Sequence, residues 1–310
     1  MKAAVITGAT GAIGTALVEK LTEENVRAYV LVRPDSKRVD RIPKSKNAKV
    51  LYYGLNEYDA KASLIEEEID DEVEVFYHLA WNGTIGDVRN DYYLQNQNVK
   101  YELDAVRLAD RLNCKTFIGI GSQAEYGRVE GSLTSSTPVN PENGYGVGKL
   151  SAGYMSRLLC RQLNMRHIWV RVLSIYGPND GEATMIISTI RKLLKGEKPS
   201  LTKGEQKWDY LYSKDAANAL FLIGEKGEDN KTYCLGSGEA RPLREYIEKM
   251  RDSINPDADL GFGDIPYSLN QVMYLKADIS ELNKDTGFVP QIPFETGISE
   301  TIEWVKNNNL

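Results

Sequence analysis

The segment that most constrains the fold is AAVITGATGAIGTALVEKL, residues 3–21. Its first six residues, AAVITG (3–8), form a short apolar run with no polar alternation. Such a run, closed by glycine, reads as a strand buried on both faces. AIGTALVEKLTEEN (12–25) then switches to the spacing of an amphipathic helix. A strand that passes straight into a helix needs a second, parallel strand to receive the chain, so a βαβ unit is expected at the start. Gly8, Gly11 and Gly14 stand three residues apart in the turn. Glycines there permit a tight turn, close approach of a pyrophosphate to the backbone, and close helix–strand packing. The helix start adds free N–H groups and a positive dipole end. Gly8, Thr10, Gly11, Ala12, Ile13 and Gly14 are therefore the candidate dinucleotide cradle.

The alternation continues. Strands are expected at 27–33, 48–54, 74–80, 115–122 and 167–173, with helices at 63–70, 96–113 and 144–164 between them. Near-continuous apolar strands alternating with helices predict a doubly wound parallel Rossmann sheet, of the α/β class. After Pro178 the pattern changes to a helix at 184–195, a Gly- and charge-containing segment at 204–215, a helix at 217–225 and a strand at 232–238. The expected division is a Rossmann domain at 1–175 plus about 214–238, and a smaller mixed α/β substrate-binding lobe at about 176–213 and 239–310.

Composition excludes several classes. The 310 residues carry a formal net charge of -6 and no basic stripe, which argues against nucleic acid or an anionic membrane as the partner. No apolar run approaches the ~20 residues of a membrane span, and the N-terminus lacks the long apolar stretch of a secretory signal. Cys114, Cys160 and Cys234 are scattered, and there are two histidines, so neither a disulfide framework nor a metal site is expected. The cytoplasm is the expected location.

The end of strand two bears on the cofactor. A carboxylate about 20 residues beyond the glycines usually bonds the ribose 2′-hydroxyl of NAD, whereas an arginine can take a 2′-phosphate. VLVRPDSKR places Arg33 there, with Lys37 and Arg38 nearby, and this favours NADP(H). Asp35, just past the strand, keeps NAD(H) open, and Arg33 can equally be read as a solvated loop residue.

Tyr145 and Lys149 lie four apart at the start of a helix and so share a face. Ser122 ends strand five, at the carboxyl edge where doubly wound sheets place their sites. A phenol with an ordinary pKa near ~10 needs a neighbouring cation to act as acid and base near neutrality.

With TGATGAIG (7–14), FYHLAW (76–81), SQAEYG (122–127), YGVGK (145–149), VRVLSIYGP (170–178) and QKWDYLYSKDAANAL (206–220) in order, the chain resembles an extended short-chain dehydrogenase/reductase of the nucleotide-sugar epimerase, dehydratase and reductase group. The resemblance implies that Ser122, Tyr145 and Lys149 are catalytic. It implies that Leu79, Ala80, Asn98 and Leu173 lie along the cofactor, Asn98 being open to a structural reading as well. It implies that Trp81, Asn82, Gln123, Ala124, Ser174, Gln206 and Trp208 face a nucleotide sugar. It also implies a homodimer built on the helices near 92–113 and 145–164.

Three departures stand out: Leu55 where relatives have an adenine-binding Asp, Trp208 where many have Arg, and Ser174 where Asn is usual. In the hexose 4,6-dehydratases of this group an Asp-Glu pair follows the hydroxyl residue. Here Gln123 and Ala124 fill those places, and Glu125 is displaced by one. Dehydration is therefore disfavoured. Arg33 tips the expectation toward NADPH-dependent reduction of a 4-keto-6-deoxyhexose nucleotide, and GSQAEYG with WDYLY resembles the 4-keto-sugar reductases of the CDP-abequose and CDP-paratose synthase type, with an NAD-dependent 4-epimerase as the alternative. A cofactor-sensing regulator is a third reading, set back by the presence of all three catalytic residues.

Overall fold

The computed structural model describes residues 1–308. Strands β1 (Ala3–Thr7), β2 (Arg27–Val32), β3 (Ala48–Tyr52), β4 (Val75–His78), β5 (Thr116–Ser122) and β6 (Arg166–Val172) alternate with helices α1 (Ala12–Glu23), α2 (Ala62–Glu67), α3 (Tyr92–Arg111) and α4 (Gly144–Gln162). The chain then runs through β7 (Ser174–Tyr176), α5 (Met185–Leu194), β8 (Ser200–Leu201), β9 (Lys207–Trp208), β10 (Tyr210–Tyr212) and α6 (Ser213–Lys226). It ends with β11 (Thr232–Leu235), β12 (Arg241–Pro242), α7 (Leu243–Ile254), β13 (Gly261–Phe262), α8 (Ser280–Thr286) and α9 (Phe294–Asn307).

Seven strands form one all-parallel sheet in the order β11-β6-β5-β4-β1-β2-β3. The order reverses between β1 and β4, and a ligand crevice belongs at the carboxyl ends of those strands. Side chains alternate across the sheet as strand geometry requires. Ala4 and Ile6 of β1 pack with Leu17 and Leu21 of α1 and with Leu220 of α6. Ala3 and Val5 face the opposite layer, with Ala105 and Leu108 of α3.

Expected and observed elements differ by a few residues, mostly at their ends. Gly8 takes a positive φ of 72°, which ends β1 at Thr7. The expected strand at 232–238 stops at Leu235, because the following turn folds around the buried Asp209. Asp209 accepts from the backbone N–H of Ser237 (2.7 Å), Gly238 (3.1 Å) and Ala277 (2.9 Å). Helix α3 starts at Tyr92 because the Asp91 side chain caps it, accepting from the Leu94 N–H at 3.1 Å.

After β7 the chain builds a second core from Tyr176, Ile187, Ile190, Tyr212, Met250, Phe294 and Ile298. Three two-stranded ladders accompany it, β7 with β10, β9 with β12 and β8 with β13. Between these pieces, α6 and β11 return to the large sheet, β11 adding its edge strand beside β6. Among the described residues no helix is long and apolar enough to cross a membrane.

A fully buried carboxyl sits between α3 and the sheet. Glu102 is 0% exposed and neither side-chain oxygen has a hydrogen-bond partner. Burial, set against the nearby positive charge of Lys149, pushes its pKa up to about 8. The folded state therefore holds a proton that the unfolded chain releases near the ordinary value of 4.5. The resulting stability is complete below that value and is lost as pH rises toward about 8. His78 and His167 have the opposite sign. Burial lowers both to about 3, so they destabilise the fold as pH falls below the usual histidine range. In thermal melts, Glu102→Gln is expected to flatten the decline in Tm between about pH 5 and pH 8. A gain of a few degrees at the alkaline end is expected, at roughly 2–4 °C per kcal/mol for a large domain. Parallel curves for the two proteins would contradict it.

Candidate active site

The glycine turn after β1 shows three kinds of space. A Cβ on Gly8 would meet the Ala80 nitrogen at 2.6 Å, and one on Gly14 would meet the Gly8 carbonyl oxygen at 2.4 Å. A Cβ on Gly11 would meet nothing within 4 Å. Two glycines are thus fixed by packing, and the third leaves its backbone open toward the crevice at the N-terminus of α1. A pyrophosphate fits that opening by shape and by charge. Thr10, Ala12 and Ile13 share this turn and the first residues of α1. Thr7 continues the cradle: its hydroxyl accepts from the Ala80 N–H (3.2 Å) and bonds His78 Nδ1 (2.9 Å), which ties β1 to the β4 end at Leu79–Ala80.

At the far end of the crevice edge, β2 gives way to an exposed loop. Arg33 and Asp35, the two residues expected to read the ribose, lie 3.5 Å apart as an exposed ion pair.

Ser122, Tyr145 and Lys149 come together at the carboxyl end of β5. Asn143 caps α4 by accepting from the Gly146 N–H at 2.8 Å, which places Tyr145 and Lys149 in its first turns. Gly146 allows α4 to pack on the turn after Ser122, since a Cβ there would lie 2.3 Å from the Ala124 oxygen. Lys149 is buried, donates to the Ile120 carbonyl at 2.6 Å, and lies 3.7 Å above the Trp81 ring centroid. Burial, opposed by the Glu102 and Glu125 carboxylates, lowers its pKa to about 8. Burial raises the Tyr145 phenol, while the Ser122 hydroxyl and the Arg89 guanidinium pull it back down. Arg89 stands 4.9 Å over the Tyr145 ring, and Trp81 meets the same ring edge-on at 6.3 Å.

Other expected site residues have partners of their own. Trp81 Nε1 donates to Gln95 Oε1 at 2.8 Å. The Asn98 amide accepts from the Asn82 N–H (3.1 Å) and donates to the Asn82 carbonyl (2.8 Å), so it pins the loop after β4. Trp208 Nε1 donates to Ser174 Oγ at 2.7 Å, which joins two of the residues expected at the substrate. Gln206 is buried and accepts from the Tyr267 hydroxyl at 3.1 Å. Leu173 packs in a small core with Tyr126, Leu133 and Cys234. Gln123 is half-buried and Ala124 is buried.

Glu125 is enclosed. It is 0% exposed and accepts from the Ser122 N–H (2.8 Å), Trp169 Nε1 (3.1 Å) and Arg171 Nε (2.7 Å). Its carboxylate is committed to the protein interior. The glycines of GIGS make this possible, because a Cβ on Gly121 would overlap both Glu125 Oε1 and Trp169 Nε1 at 2.3 Å. Arg89 and Thr7 were not foreseen from the sequence. A single arginine in the loop GDVRND carries no signal, whereas Thr7, adjoining the first glycine at the strand end, could have been read as a cradle residue. Among the described residues, no group of three or more His, Cys, Asp or Glu side chains is placed to hold a metal ion.

The family model for the NAD dependent epimerase/dehydratase family matches residues 4–236. The chain belongs to that family. It is 26% identical to a putative UDP-glucose 4-epimerase of Methanocaldococcus jannaschii, over 98% of this chain and 99% of the relative. It is 28% identical to a dTDP-glucose 4,6-dehydratase of Escherichia coli over 57% of this chain, spanning about half of that enzyme, 52%. In fold it is similar to the UDP-N-acetylglucosamine 4-epimerase of Methanobrevibacter ruminantium M1, solved in complex with UDP-N-acetylmuramic acid. That match has a TM-score of 0.88 at 23% identity and covers 99% of each chain. The protein is thus an enzyme of the extended short-chain dehydrogenase type, dependent on a nicotinamide nucleotide.

The glycine turn separates two effects. Gly14→Ala should destabilise the fold by about 1–3 kcal/mol through overpacking, read as a lower Tm. Gly11→Val should cost the fold only the smaller penalty of a poor helix cap and should lose affinity for NAD(H) by on the order of tenfold or more, as its side chain holds the pyrophosphate off the backbone N–H groups. Unchanged cofactor titration in Gly11→Val would contradict this use of the turn.

Proposed function

We propose that the protein is a nucleotide-sugar 4-epimerase that retains its nicotinamide cofactor between turnovers. The observation that carries this reading is the likeness to a putative UDP-glucose 4-epimerase over almost the whole of both chains, and the enclosure of Glu125 sets elimination aside. With Gln123 and Ala124 at the preceding positions, the turn after Ser122 has no free carboxylate. Elimination across C5 and C6 of a hexose then lacks the acid and base it needs. Inversion at C4 asks only for one acid–base group, a group to orient the oxygen, and room for the sugar to turn.

When bound, the nicotinamide supplies the carbon that takes up hydride from sugar C4 and returns it. Gly8, Gly11 and Gly14 with Thr10, Ala12 and Ile13 would hold its pyrophosphate, and Leu79, Ala80 and Leu173 would line its nicotinamide half. Lys149 would hold the adjoining ribose. Tyr145 takes the proton of the C4 hydroxyl and gives it back on the other face, with Ser122 orienting that oxygen. Arg89 stabilises the phenolate from above the ring, where a cation interacts best with the π-charge. Trp81, Asn82, Gln123, Ala124, Ser174, Gln206 and Trp208 form the substrate side, the Trp208–Ser174 pair presenting an indole for stacking on a base or sugar.

Arg33, with Lys37 and Arg38 nearby, was the main pointer to NADPH and reduction. Its pairing with Asp35 engages that guanidinium, although an exposed pair of this kind is weak and Lys37 and Arg38 stand in the same loop. NAD(H) is the cofactor of the main reading, and NADPH-dependent reduction of a 4-keto-6-deoxyhexose nucleotide is the second, kept because Arg33 is present. The homodimer belongs to the proposal too: Tyr92 of α3 and Val147 and Met155 of α4 are exposed along one groove, and Tyr93, Tyr154 and Leu158 are exposed on the same two helices.

The test incubates the purified protein with UDP-glucose, UDP-N-acetylglucosamine and UDP-glucuronic acid, without added reductant. The C4 epimer of one of them should appear. Tyr145→Phe should lower turnover by roughly 10²–10⁴ with an unchanged Tm. Stoichiometric NADPH consumption on a 4-keto-6-deoxyhexose nucleotide, with no epimer formed, would move the assignment to the reductase.

A further inference from the structure

On the α4 side of β5 and β6, next to the enclosed Glu125, lies a cavity of about 90 Å³ bordered by Glu125, Ser135, Arg157, Trp169, Arg171 and Thr232. Arg171 is 5% exposed; its Nε pairs with Glu125, and its buried Nη1 has no hydrogen-bond partner. Arg157 is half-buried and donates through Nη2 to Thr232 Oγ1 at 2.7 Å, while its buried Nε also has no partner. Among the described residues no carboxylate lies within ion-pair distance of Arg157. Two guanidinium groups thus share this cavity with one carboxylate, and two of their N–H donors are unspent.

Two buried guanidinium N–H donors left unmade are costly, and with Arg157 half-buried and lacking a carboxylate the cavity favours an acceptor-rich, negatively charged occupant. The volume equals roughly three waters at ~30 Å³ each, enough for one tetrahedral oxyanion. Waters would serve the donors but leave the charge. Burial lowers the Arg157 pKa, and the positive Arg171 adds to that fall, whereas Arg171 itself, against its own burial, is held up by its Glu125 partner. Arg157 also borders an open surface groove of about 400 Å³ together with Arg161, Arg166 and a single acid, Asp229. Three guanidinium groups against one carboxylate make that groove a positive approach to the cavity.

We propose that the cavity between Arg157 and Arg171 is a binding site for a small oxyanion of the inorganic phosphate or sulfate class. It is separate from the glycine turn and from Ser122, Tyr145 and Lys149, and touches the reaction site only through Glu125. The test uses the folded enzyme saturated with NAD+ and UDP, so that phosphate does not report on the cofactor or nucleotide positions. Inorganic phosphate is titrated by calorimetry at constant ionic strength, against chloride. Saturable binding at one ion per chain is expected. Arg157→Gln should weaken it by about tenfold or more, the worth of a charged hydrogen bond. Arg157→Lys, which keeps the charge and loses the Nε donor, should fall between the two. Tm values at matched salt check that both variants are folded. Binding equal in the native protein and Arg157→Gln, or no phosphate heat beyond the chloride control, would overturn the proposal and leave the cavity with water only.

Discussion

The carboxylate of Glu125 organises the catalytic edge. It is buried without solvent and takes hydrogen bonds from the backbone of Ser122, from the Trp169 indole and from the Arg171 guanidinium. A buried charge is tolerated only when it is paired and hydrogen-bonded in this way. The Ser122 N–H is one of those bonds, so the same interaction that satisfies the charge also fixes where β5 ends. It removes the one displaced carboxylate that elimination chemistry could have used. It also sets the charge balance of the cavity beyond it, where Arg157 remains unmatched.

This arrangement depends on residues far apart in the chain. The register of β5 against β6 sets Gly119 opposite Trp169 and Gly121 opposite Arg171. Side chains on the two glycines would collide with the indole, and on Gly121 with the Glu125 carboxylate as well. Read along the sequence, GIGSQAEYG shows a small-residue strand end and a glutamate three residues after a serine. Nothing local says that an indole and a guanidinium from the next strand will claim that glutamate. The sequence could raise Glu125 as a proton carrier, and only the strand register shows it enclosed.

The sheet itself was legible, because apolar runs and amphipathic helices repeat in strict alternation and parallel strands leave few topologies. Strand ends were read one to three residues long where a glycine or an Asp209-bound turn breaks the ladder. Tyr145, Lys149 and Ser122 were legible too, since spacing on one helix and a strand end suffices to juxtapose them. Asn98 was read both along the cofactor and as a structural residue, and its amide bonds the Asn82 backbone. Arg89 lies in an irregular loop, where no periodicity predicts which side chain will cover Tyr145. The Trp208–Ser174 bond joins two short strands 34 residues apart and leaves no trace in either segment. At the ribose end the sequence offered Arg33 and Asp35 as competing signs, and the fold pairs them with each other, so that end does not decide between reduction and epimerisation.

The most direct measurement follows the hydrogen atoms of the sugar. The enzyme is run on its nucleotide hexose in D₂O with no added reductant, and the product is read by NMR. If Tyr145 is the proton carrier and elimination is closed off by the enclosure of Glu125, the C4-inverted product keeps protium at both C4 and C5. Deuterium entering C5, with loss of the C6 oxygen, would show that a base acts there after all and would contradict the account.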